Sequence, residues 1–100
     1  MKWSINEITD SRVLHLASER PLVGLDLGSR ASKGVLLTRG QIYTALIPTG
    51  LYMQETADEL IGKLLSEAGG IRAELGGLVA TGYGRIALKF DDIPFEVVPG

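Results

Sequence analysis

Three short apolar stretches follow one another closely and predict three β-strands. The first begins at Leu22, the second covers residues 34–38, and the third covers residues 41–47 and is ended by Pro48. Between the second and the third, Arg39 and Gly40 predict a two-residue hairpin turn in which Gly40 supplies a positive φ. Because the joins are so short, the three strands must form an antiparallel meander.

Apolar residues at helical spacing follow the meander and predict one amphipathic helix, Met53–Ala68. The stripe consists of Ala57, Leu60, Ile61, Leu64, Leu65 and Ala68. We expect the helix to begin between Met53 and Thr56, because residues 56–59 have the spacing of a capping box. Two glycines at 69 and 70 should end it. We interpret the stripe as core packing and not as a cofactor site.

A fourth apolar run at residues 77–81 predicts a strand parallel to the first, because a crossing helix precedes it. A glycine-containing loop at residues 82–85 and a short helical turn at residues 86–90 should follow. Residues 91–94 break that turn, and residues 95–98 look like the start of a fifth strand. The order β-β-β-α-β predicts an α/β domain with a crossing helix on one face of the sheet.

Residues 1–21 fit neither a helical nor a strand period over their whole length. We interpret them as a mobile or edge-packed N-terminal extension, and residues 22–98 as one domain. His15 is the only histidine, and we assign it no role because a lone histidine in such a segment is usually a surface or packing residue.

Composition and charge argue against several classes of function. The chain has 100 residues, which is one domain at most, and a net charge of −2, which argues against a nucleic-acid partner. No apolar run approaches the roughly 20 residues of a membrane span, and the N-terminus lacks the apolar stretch of a signal peptide. There is no cysteine, so a cytoplasmic location is expected and no iron–sulfur ligand comes from this chain.

The stretch from residue 22 to residue 33 carries the candidate chemistry. Its strand contains one carboxylate, Asp26, and then breaks into a turn of small residues that ends in Lys33. Gly28 lets a ligand approach the backbone, and the amides of residues 29–32 would form a concavity that suits a phosphate. Asp26 fits beside a phosphate only if a partly hydrated Mg²⁺ lies between them. The alternative is an ordinary hairpin in which Asp26 caps its own turn and Lys33 is solvated.

A second glycine motif, in residues 82–87, matches the dinucleotide-binding fingerprint and follows a predicted strand. We reject that interpretation because the fingerprint should open a long helix, whereas residues 91–94 end any helix within two turns. The acidic residue that should bind the ribose would also fall beyond residue 100.

The pattern Asp-x-Gly-Ser-x-x-x-Lys between two apolar strands resembles the first phosphate motif of the actin-like ATPase superfamily. The chain resembles one group within it at residues 24–29, at Lys33, at Thr49-Gly50 and, above all, at residues 81–85, Thr-Gly-Tyr-Gly-Arg, which follow a strand. These are the activator ATPases of 2-hydroxyacyl-CoA dehydratases and the related ATP-binding subunits of benzoyl-CoA reductase. The resemblance covers residues 22–98 and implies the N-terminal lobe of a ribonuclease-H-like fold.

The resemblance also implies an activity. Such proteins bind Mg-ATP between two lobes, form homodimers bridged by one [4Fe–4S] cluster, and drive a low-potential electron into a dehydratase or reductase partner. By match, Asp26 would organise the magnesium and its waters, and Thr81 and Gly82 would face the γ-phosphate. The β- and γ-phosphates would be lined by Gly28, Ser29, Arg30, Ala31 and Ser32, with Lys33 adding positive charge.

Two differences from the family pattern limit the activity that we expect of this chain. Relatives often carry a threonine-rich turn where this chain has Arg30-Ala31, so backbone contacts would replace hydroxyl contacts there. Relatives also continue to cluster cysteines, a second phosphate loop and an adenosine pocket, none of which lies in these 100 residues. We therefore expect an incomplete lobe that works with a second lobe or subunit. The alternative is a truncated, non-catalytic interaction module that retains only the fold.

Overall fold

Five strands form one mixed sheet in the computed structural model of the chain, which describes residues 20–99. The strands are β1 (Leu22–Leu27), β2 (Ala31–Thr38), β3 (Gln41–Pro48), β4 (Gly77–Thr81) and β5 (Phe95–Val97), and their order across the sheet is β3-β2-β1-β4-β5. The expectations for residues 1–19, including His15, lie outside the described residues.

The antiparallel meander β1-β2-β3 is confirmed, with two local differences. β2 begins at Ala31, three residues earlier than expected, and Pro48 is the last residue of the edge strand β3, where it pairs with Ala31. The hairpin turn has positive φ at both central positions, 51° at Arg39 and 72° at Gly40. Two positive φ values are typical of a type I′ turn, whose twist matches that of the flanking strands.

One helix, α1 (Met53–Ala68), connects β3 to β4 and packs against the meander. Five residues of the predicted stripe are buried, namely Ala57, Leu60, Ile61, Leu64 and Leu65. Gly34 of β2 lies beneath the helix, where an ideal Cβ would come 2.9 Å from Leu64 Cδ1. A larger residue at position 34 would therefore crowd the leucine side chains that pack between the sheet and the helix. Gly69 ends the helix in the left-handed region, as predicted.

The capping-box interpretation of Thr56 is wrong. The N-cap is Tyr52, which makes no side-chain capping bond, and Thr56 lies inside the first turn with a 4% exposed side chain. The Thr56 hydroxyl instead accepts a hydrogen bond from Gly50 N at 2.9 Å and donates to Tyr52 O at 3.2 Å. Through these two hydrogen bonds the buried Thr56 side chain connects the preceding loop to the helix. It does not cap the helix.

The crossing helix makes β4 parallel to β1, as predicted, and β5 is parallel to β4. As in any strand, successive residues of β1 and β4 point to opposite faces of the sheet. Val23, Leu25 and Leu27 face α1 and belong to the buried core. Gly24 and Asp26 face the opposite side, which α1 does not cover.

Two short 3-10 helices complete the described part of the fold, Arg72–Glu74 before β4 and Arg85–Ala87 after it. The second confirms that no long helix follows the glycine motif at residues 82–87, as the rejection of the dinucleotide fingerprint requires. None of the helices within residues 20–99 is both long and apolar enough to cross a membrane.

Candidate phosphate-binding site

The parallel pairing of β1 and β4 places the predicted chemistry at one end of the sheet. Asp26 and Thr81 are direct partners in the ladder, so the turn after β1 and the loop after β4 leave the sheet side by side. The carboxyl ends of adjacent parallel strands are where α/β proteins bind their ligands. The structure thus brings together two segments that lie more than 50 residues apart in the sequence.

Gly82 lies directly against Asp26. Its φ of 93° falls in the region that favours glycine, and an ideal Cβ there would come 2.6 Å from Asp26 Oδ1 and 2.7 Å from both Leu27 N and Leu27 O. Any side chain at position 82 would therefore displace the carboxylate or the end of β1. The loop is held in this place by a hydrogen bond of 3.1 Å from Gly84 N to Leu27 O.

The far side of the same loop packs on the start of α1. A Cβ at Gly84 would overlap the Met53 side chain, so the loop backbone packs directly against that side chain. Arg85 donates from Nη1 to Gly82 O at 2.9 Å, and Lys89 N donates to Gln54 Oε1 at 2.8 Å. Glycine is therefore required by the backbone at position 82, whereas at position 84 it makes room for the Met53 side chain.

The turn between β1 and β2 is tight and is held from one side by Thr49. An ideal Cβ on Gly28 would lie 2.5 Å from Ala31 O, so glycine is required by the close approach of the two strand ends. Thr49 Oγ1 donates to Gly28 O at 2.8 Å, and Thr49 N donates to Arg30 O at 2.8 Å. Ser29, Arg30 and Ala31 are exposed at the tip of the turn.

Two predicted site residues on β2 face opposite sides of the sheet. Lys33 is the ladder partner of Asp26, is exposed, and lies on the open face with it. Among the described residues, no ion pair joins Asp26 to Lys33. Ser32 is fully buried, and its hydroxyl lies 2.7 Å from Thr49 Oγ1. The Ser32 hydroxyl therefore holds the turn together and does not face the surface of the turn.

A cavity of about 490 Å³ lies on the open face of the sheet beside these residues. It is lined by Gly24, Leu25, Asp26, Lys33, Gly34, Val35, Thr44, Ala45, Leu46, Val79 and Thr81. Within the described part of the chain, Thr81 Oγ1 is the buried side-chain polar atom that has no hydrogen-bond partner. A buried hydroxyl without a partner costs free energy unless a ligand or water satisfies it, so this atom marks the cavity end next to Asp26 as a place for a polar ligand.

The donor set fits a magnesium ion held partly by other groups. No cluster of three or more metal-binding side chains occurs within residues 20–99, so Asp26 would act as a single carboxylate. Mg²⁺ is commonly bound by one or two carboxylates together with waters and substrate phosphates, which matches one exposed aspartate beside a turn of backbone amides. The absence of cysteine means that these 100 residues offer no thiolate to an iron–sulfur cluster.

Sequence reasoning missed Thr49 as a structural part of the site. Thr49-Gly50 belongs to the residues that carry the family resemblance, but the sequence gives Thr49 no role, because its contacts at residues 28, 30 and 32 depend on the meander bringing β3 alongside β2. The signal that could have found it is its position directly after Pro48, which pairs with Ala31 at the base of the turn.

Two solved structures of dehydratase components share this fold and part of the sequence. The activator of the 2-hydroxyisocaproyl-CoA dehydratase from Clostridium difficile, with bound ADPNP, is 33% identical over 77% of this chain with a TM-score of 0.62. Component A of the (R)-2-hydroxyglutaryl-CoA dehydratase from Acidaminococcus fermentans is 29% identical over 78% of this chain with a TM-score of 0.63. The chain spans about three-tenths of the length of these two proteins, 29% and 30%.

YeaZ from Pseudomonas aeruginosa shares the fold at lower identity. It is 22% identical over 80% of this chain and 44% of its own length, with a TM-score of 0.62. No protein-family model and no curated protein matches the chain.

The fold that the chain shares with the two dehydratase components is the ribonuclease-H-like fold of the actin-like ATPases. Within that fold, its resemblance to the activators of 2-hydroxyacyl-CoA dehydratases is confirmed, whereas the resemblance to benzoyl-CoA reductase subunits stays a prediction.

Proposed function

We propose that residues 22–98 form the phosphate-binding lobe of an activator-type ATPase and bind Mg-ATP together with a second lobe or subunit. The observation that carries the proposal is the parallel pairing of Asp26 with Thr81, which places a carboxylate, a glycine turn and an unpartnered hydroxyl at one end of the sheet. The similarity to an activator solved with bound ADPNP supports a nucleotide as the ligand.

Each residue then has a definite role in the proposal. Asp26 holds the magnesium ion through its waters, and Lys33 beside it adds positive charge for the phosphates. The exposed backbone of Gly28, Ser29, Arg30 and Ala31 lines the β- and γ-phosphates, since amide donors without bulky side chains suit an anion. Ser32 supports the turn from beneath through its buried hydroxyl.

Thr81 and Gly82 face the γ-phosphate in this proposal. The Thr81 hydroxyl would gain there the hydrogen-bond partner that it lacks among the described residues. Gly82 leaves space for the Asp26 carboxylate, since an ideal Cβ would come 2.6 Å from Oδ1. The phosphate and its metal would therefore meet Asp26, Thr81 and Gly82 together at the ends of two adjacent strands.

The proposal extends from this lobe to the activity of the whole protein. We infer that ATP hydrolysis is coupled to electron transfer into a 2-hydroxyacyl-CoA dehydratase, the partner named for the similar proteins, or into a benzoyl-CoA reductase. A [4Fe–4S] cluster would need cysteines outside these 100 residues, because this chain has none. The second lobe or subunit, with a homodimer as one possibility, would supply the rest of the nucleotide site.

An Asp26→Asn variant tests the site directly. We expect it to abolish the magnesium-dependent part of ATP binding and to leave the fold nearly intact, because an exposed strand-end carboxylate contributes to a metal site more than to stability. The measurement is an NMR titration of the amides of Ser29 and Gly82 with ATP, with and without Mg²⁺, alongside thermal unfolding.

Asp91→Asn is the matched control for this experiment, because Asp91 is exposed and precedes β5, at the opposite end of the sheet from Thr81. It should bind Mg-ATP as the wild-type chain does. If Asp26→Asn unfolds the domain and changes no nucleotide affinity, Asp26 is a structural cap and the assigned role is wrong.

A non-catalytic interaction module is the second candidate function, and exposed apolar side chains favour it. Leu51, Tyr52, Tyr83 and Ile86 lie in the loops around the site and are 62–88% exposed. Large exposed apolar side chains that lie close together mark protein-interaction surfaces. A wild-type chain that ignores Mg-ATP but forms a stoichiometric complex with a dehydratase component would favour this candidate over the ATPase lobe.

A further inference from the structure

The Thr49 side chain occupies the centre of a chain of hydrogen bonds beneath the turn between β1 and β2. Its hydroxyl is 2.8 Å from Gly28 O and 2.7 Å from Ser32 Oγ. A carbonyl oxygen can only accept, so the single hydroxyl proton of Thr49 goes to Gly28 O. Ser32 must then donate to Thr49, which fixes the direction of the whole chain: Ser32 to Thr49 to Gly28. Such a chain of hydroxyls is cooperative, because each bond polarises the next.

Thr49 thereby fixes which way the peptide groups of the turn point. Its hydroxyl holds the carbonyl of Gly28, and its backbone N–H holds the carbonyl of Arg30 at 2.8 Å. All described peptide bonds are trans, and in a trans peptide the carbonyl and the following N–H point in opposite directions. The amides of Ser29 and Ala31 therefore point away from Thr49, and the two carbonyls that would repel an anion are turned towards it.

Thr49 is itself anchored to the start of α1 through its neighbour. Gly50 N donates to the buried Thr56 hydroxyl at 2.9 Å, and that hydroxyl donates to Tyr52 O at 3.2 Å. A Cβ on Gly50 would come 3.2 Å from Thr56 Oγ1, so the loop lies close against the helix. The turn is therefore connected through residues 49 and 50 to the rigid helix of the domain.

We propose that Thr49 is a positioning residue of the phosphate site: it holds the turn so that the amides of Ser29 and Ala31 are presented to the nucleotide phosphates. The proposal rests on the function proposed above, because it takes the turn to be part of the phosphate site. It assigns Thr49 no contact with the ligand. A preorganised donor pair binds an anion more tightly than a mobile one, because the cost of ordering the turn is met during folding. Removing the Thr49 hydroxyl should therefore weaken nucleotide binding, although Thr49 does not contact the nucleotide.

Two variants at position 49 separate the hydroxyl from the shape of the side chain. Thr49→Val keeps the shape and the backbone N–H but removes both hydroxyl bonds, whereas Thr49→Ser keeps the hydroxyl. Thr38→Val is the matched control, because it makes the same change at the far end of β2, next to the Arg39-Gly40 turn. The probe is Mg-ATP, and the readouts are its dissociation constant from NMR titration and the ¹⁵N order parameters of Ser29 and Ala31 without nucleotide.

Thr49→Val should raise the dissociation constant for Mg-ATP roughly tenfold, the effect of losing one or two net hydrogen bonds. The order parameters at Ser29 and Ala31 should fall from the rigid range near about 0.85 towards about 0.6. Thr49→Ser should restore both quantities, and Thr38→Val should leave both at wild-type values. A purely structural threonine would lower the melting temperature without changing the order of these two amides.

Three results would overturn the proposal, and they can be told apart. If Thr49→Val keeps an ordered turn and wild-type affinity, the role of Thr49 fails while the proposed function stands. If the amides of Ser29 and Gly82 in the wild-type chain do not respond to Mg-ATP at concentrations well above a roughly millimolar dissociation constant, the proposed function fails and the positioning role fails with it. If Thr49→Val does not fold, Ser32→Ala decides, because it removes only the first donor of the chain: a disordered turn with weaker binding supports the proposal, and an unchanged turn overturns it.

Discussion

At the scale of single residues, Gly82 is the position where the site tolerates least change. Its positive φ of 93° alone disfavours a side chain, and the space for a Cβ is filled by Asp26 Oδ1 and the backbone of Leu27. Gly82→Ala should therefore combine a backbone strain of about 1–2 kcal/mol with a steric clash at the end of β1. We expect it to lower the free energy of unfolding by roughly 3 kcal/mol, measured by urea denaturation.

Gly40→Ala is the control for that prediction, because it separates strain from crowding. Gly40 also has a positive φ, 72°, but an ideal Cβ there meets no heavy atom within 4 Å. Its substitution should cost only the strain of about 1 kcal/mol. Equal losses for the two alanine variants would show that the contact between Gly82 and Asp26 does not matter for stability.

Residues differ in how far their place in the site could be predicted from sequence. Asp26 stands out because a carboxylate is unusual in an apolar strand, and Gly28 gains meaning from its position two residues after that carboxylate. Ser32 was predicted only as part of the phosphate turn, and Thr49 was given no role, because small hydroxyl residues near a turn are common. Their partners are 17 and 21 residues away in the sequence, and only the fold brings them together.

At the scale of elements, Arg72 joins α1 to the segment before β5. Its guanidinium forms ion pairs with Asp58 of the helix at 3.0 Å and with Asp92 at 2.7 Å, and lies 5.5 Å from the centre of the Phe90 ring. Phe90 in turn packs edge-to-face on Phe95 of β5. The residues before β5 are thus fixed to the helix by a charged and aromatic cluster at the end of the sheet opposite the phosphate site.

This cluster predicts an acid-dependent part of the stability. The hydrogen bond from Arg72 lowers the pKa of the Asp92 carboxylate below its ordinary value, so the folded state favours the ionised form. The resulting stabilisation is fully present above the ordinary pKa and is lost as the pH falls through the lower, folded-state pKa. Asp92→Asn should therefore be less stable than the wild-type chain at pH 5–7, and the difference should shrink below about pH 4.

Urea denaturation at several pH values checks this prediction, with Asp91→Asn as the matched control. Asp91 is the exposed neighbour in the same loop, and Arg72 pairs with Asp92 and Asp58 rather than with it. The control should therefore show no such pH-dependent difference. A gap between wild type and Asp92→Asn that stays constant down to pH 2 would contradict the ion pair as its cause.

The elements themselves were largely predictable, and the exceptions have physical reasons. Strand and helix patterns depend on apolar periodicity, which the core enforces, so β1 to β5 and α1 lie where the pattern predicts, apart from the polar start of β2 at Ala31. The positive φ of Arg39 was not predictable from its side chain, because the twist of the hairpin imposes it. Thr56 was misassigned as a cap because capping-box spacing does not reveal which threonine the core will bury.

At the scale of the whole molecule, topology and not any single motif defines the site. The glycine turn alone fits an ordinary hairpin as well as a phosphate loop. The crossing helix favours the phosphate loop, because it makes β4 parallel to β1 and sets the two loops beside each other. Within residues 20–99 the same connection leaves one face of the sheet without a helix, and the cavity beside Asp26 and Thr81 lies on that face.

The last prediction concerns the catalytic power of the 100-residue chain alone. An actin-like ATPase of the kind that the resemblance implies closes two lobes on the phosphates, which excludes water and positions the reacting groups. In this chain Asp26, Lys33 and the turn are exposed, so their interactions act in a high dielectric and are worth a fraction of their buried strength. We expect Mg-ATP to bind no more tightly than roughly millimolar, about −4 kcal/mol, with hydrolysis near the uncatalysed background.

Calorimetry with Mg-ATP and a phosphate-release assay on the purified chain test this expectation. Asp26→Asn serves as the baseline, because it should remove whatever magnesium-dependent binding the wild-type chain has. Micromolar binding together with turnover that Asp26→Asn abolishes would contradict the prediction. Such a result would mean that the chain builds a closed site by itself, and the concentration dependence of the turnover would then show whether two copies are needed to form it.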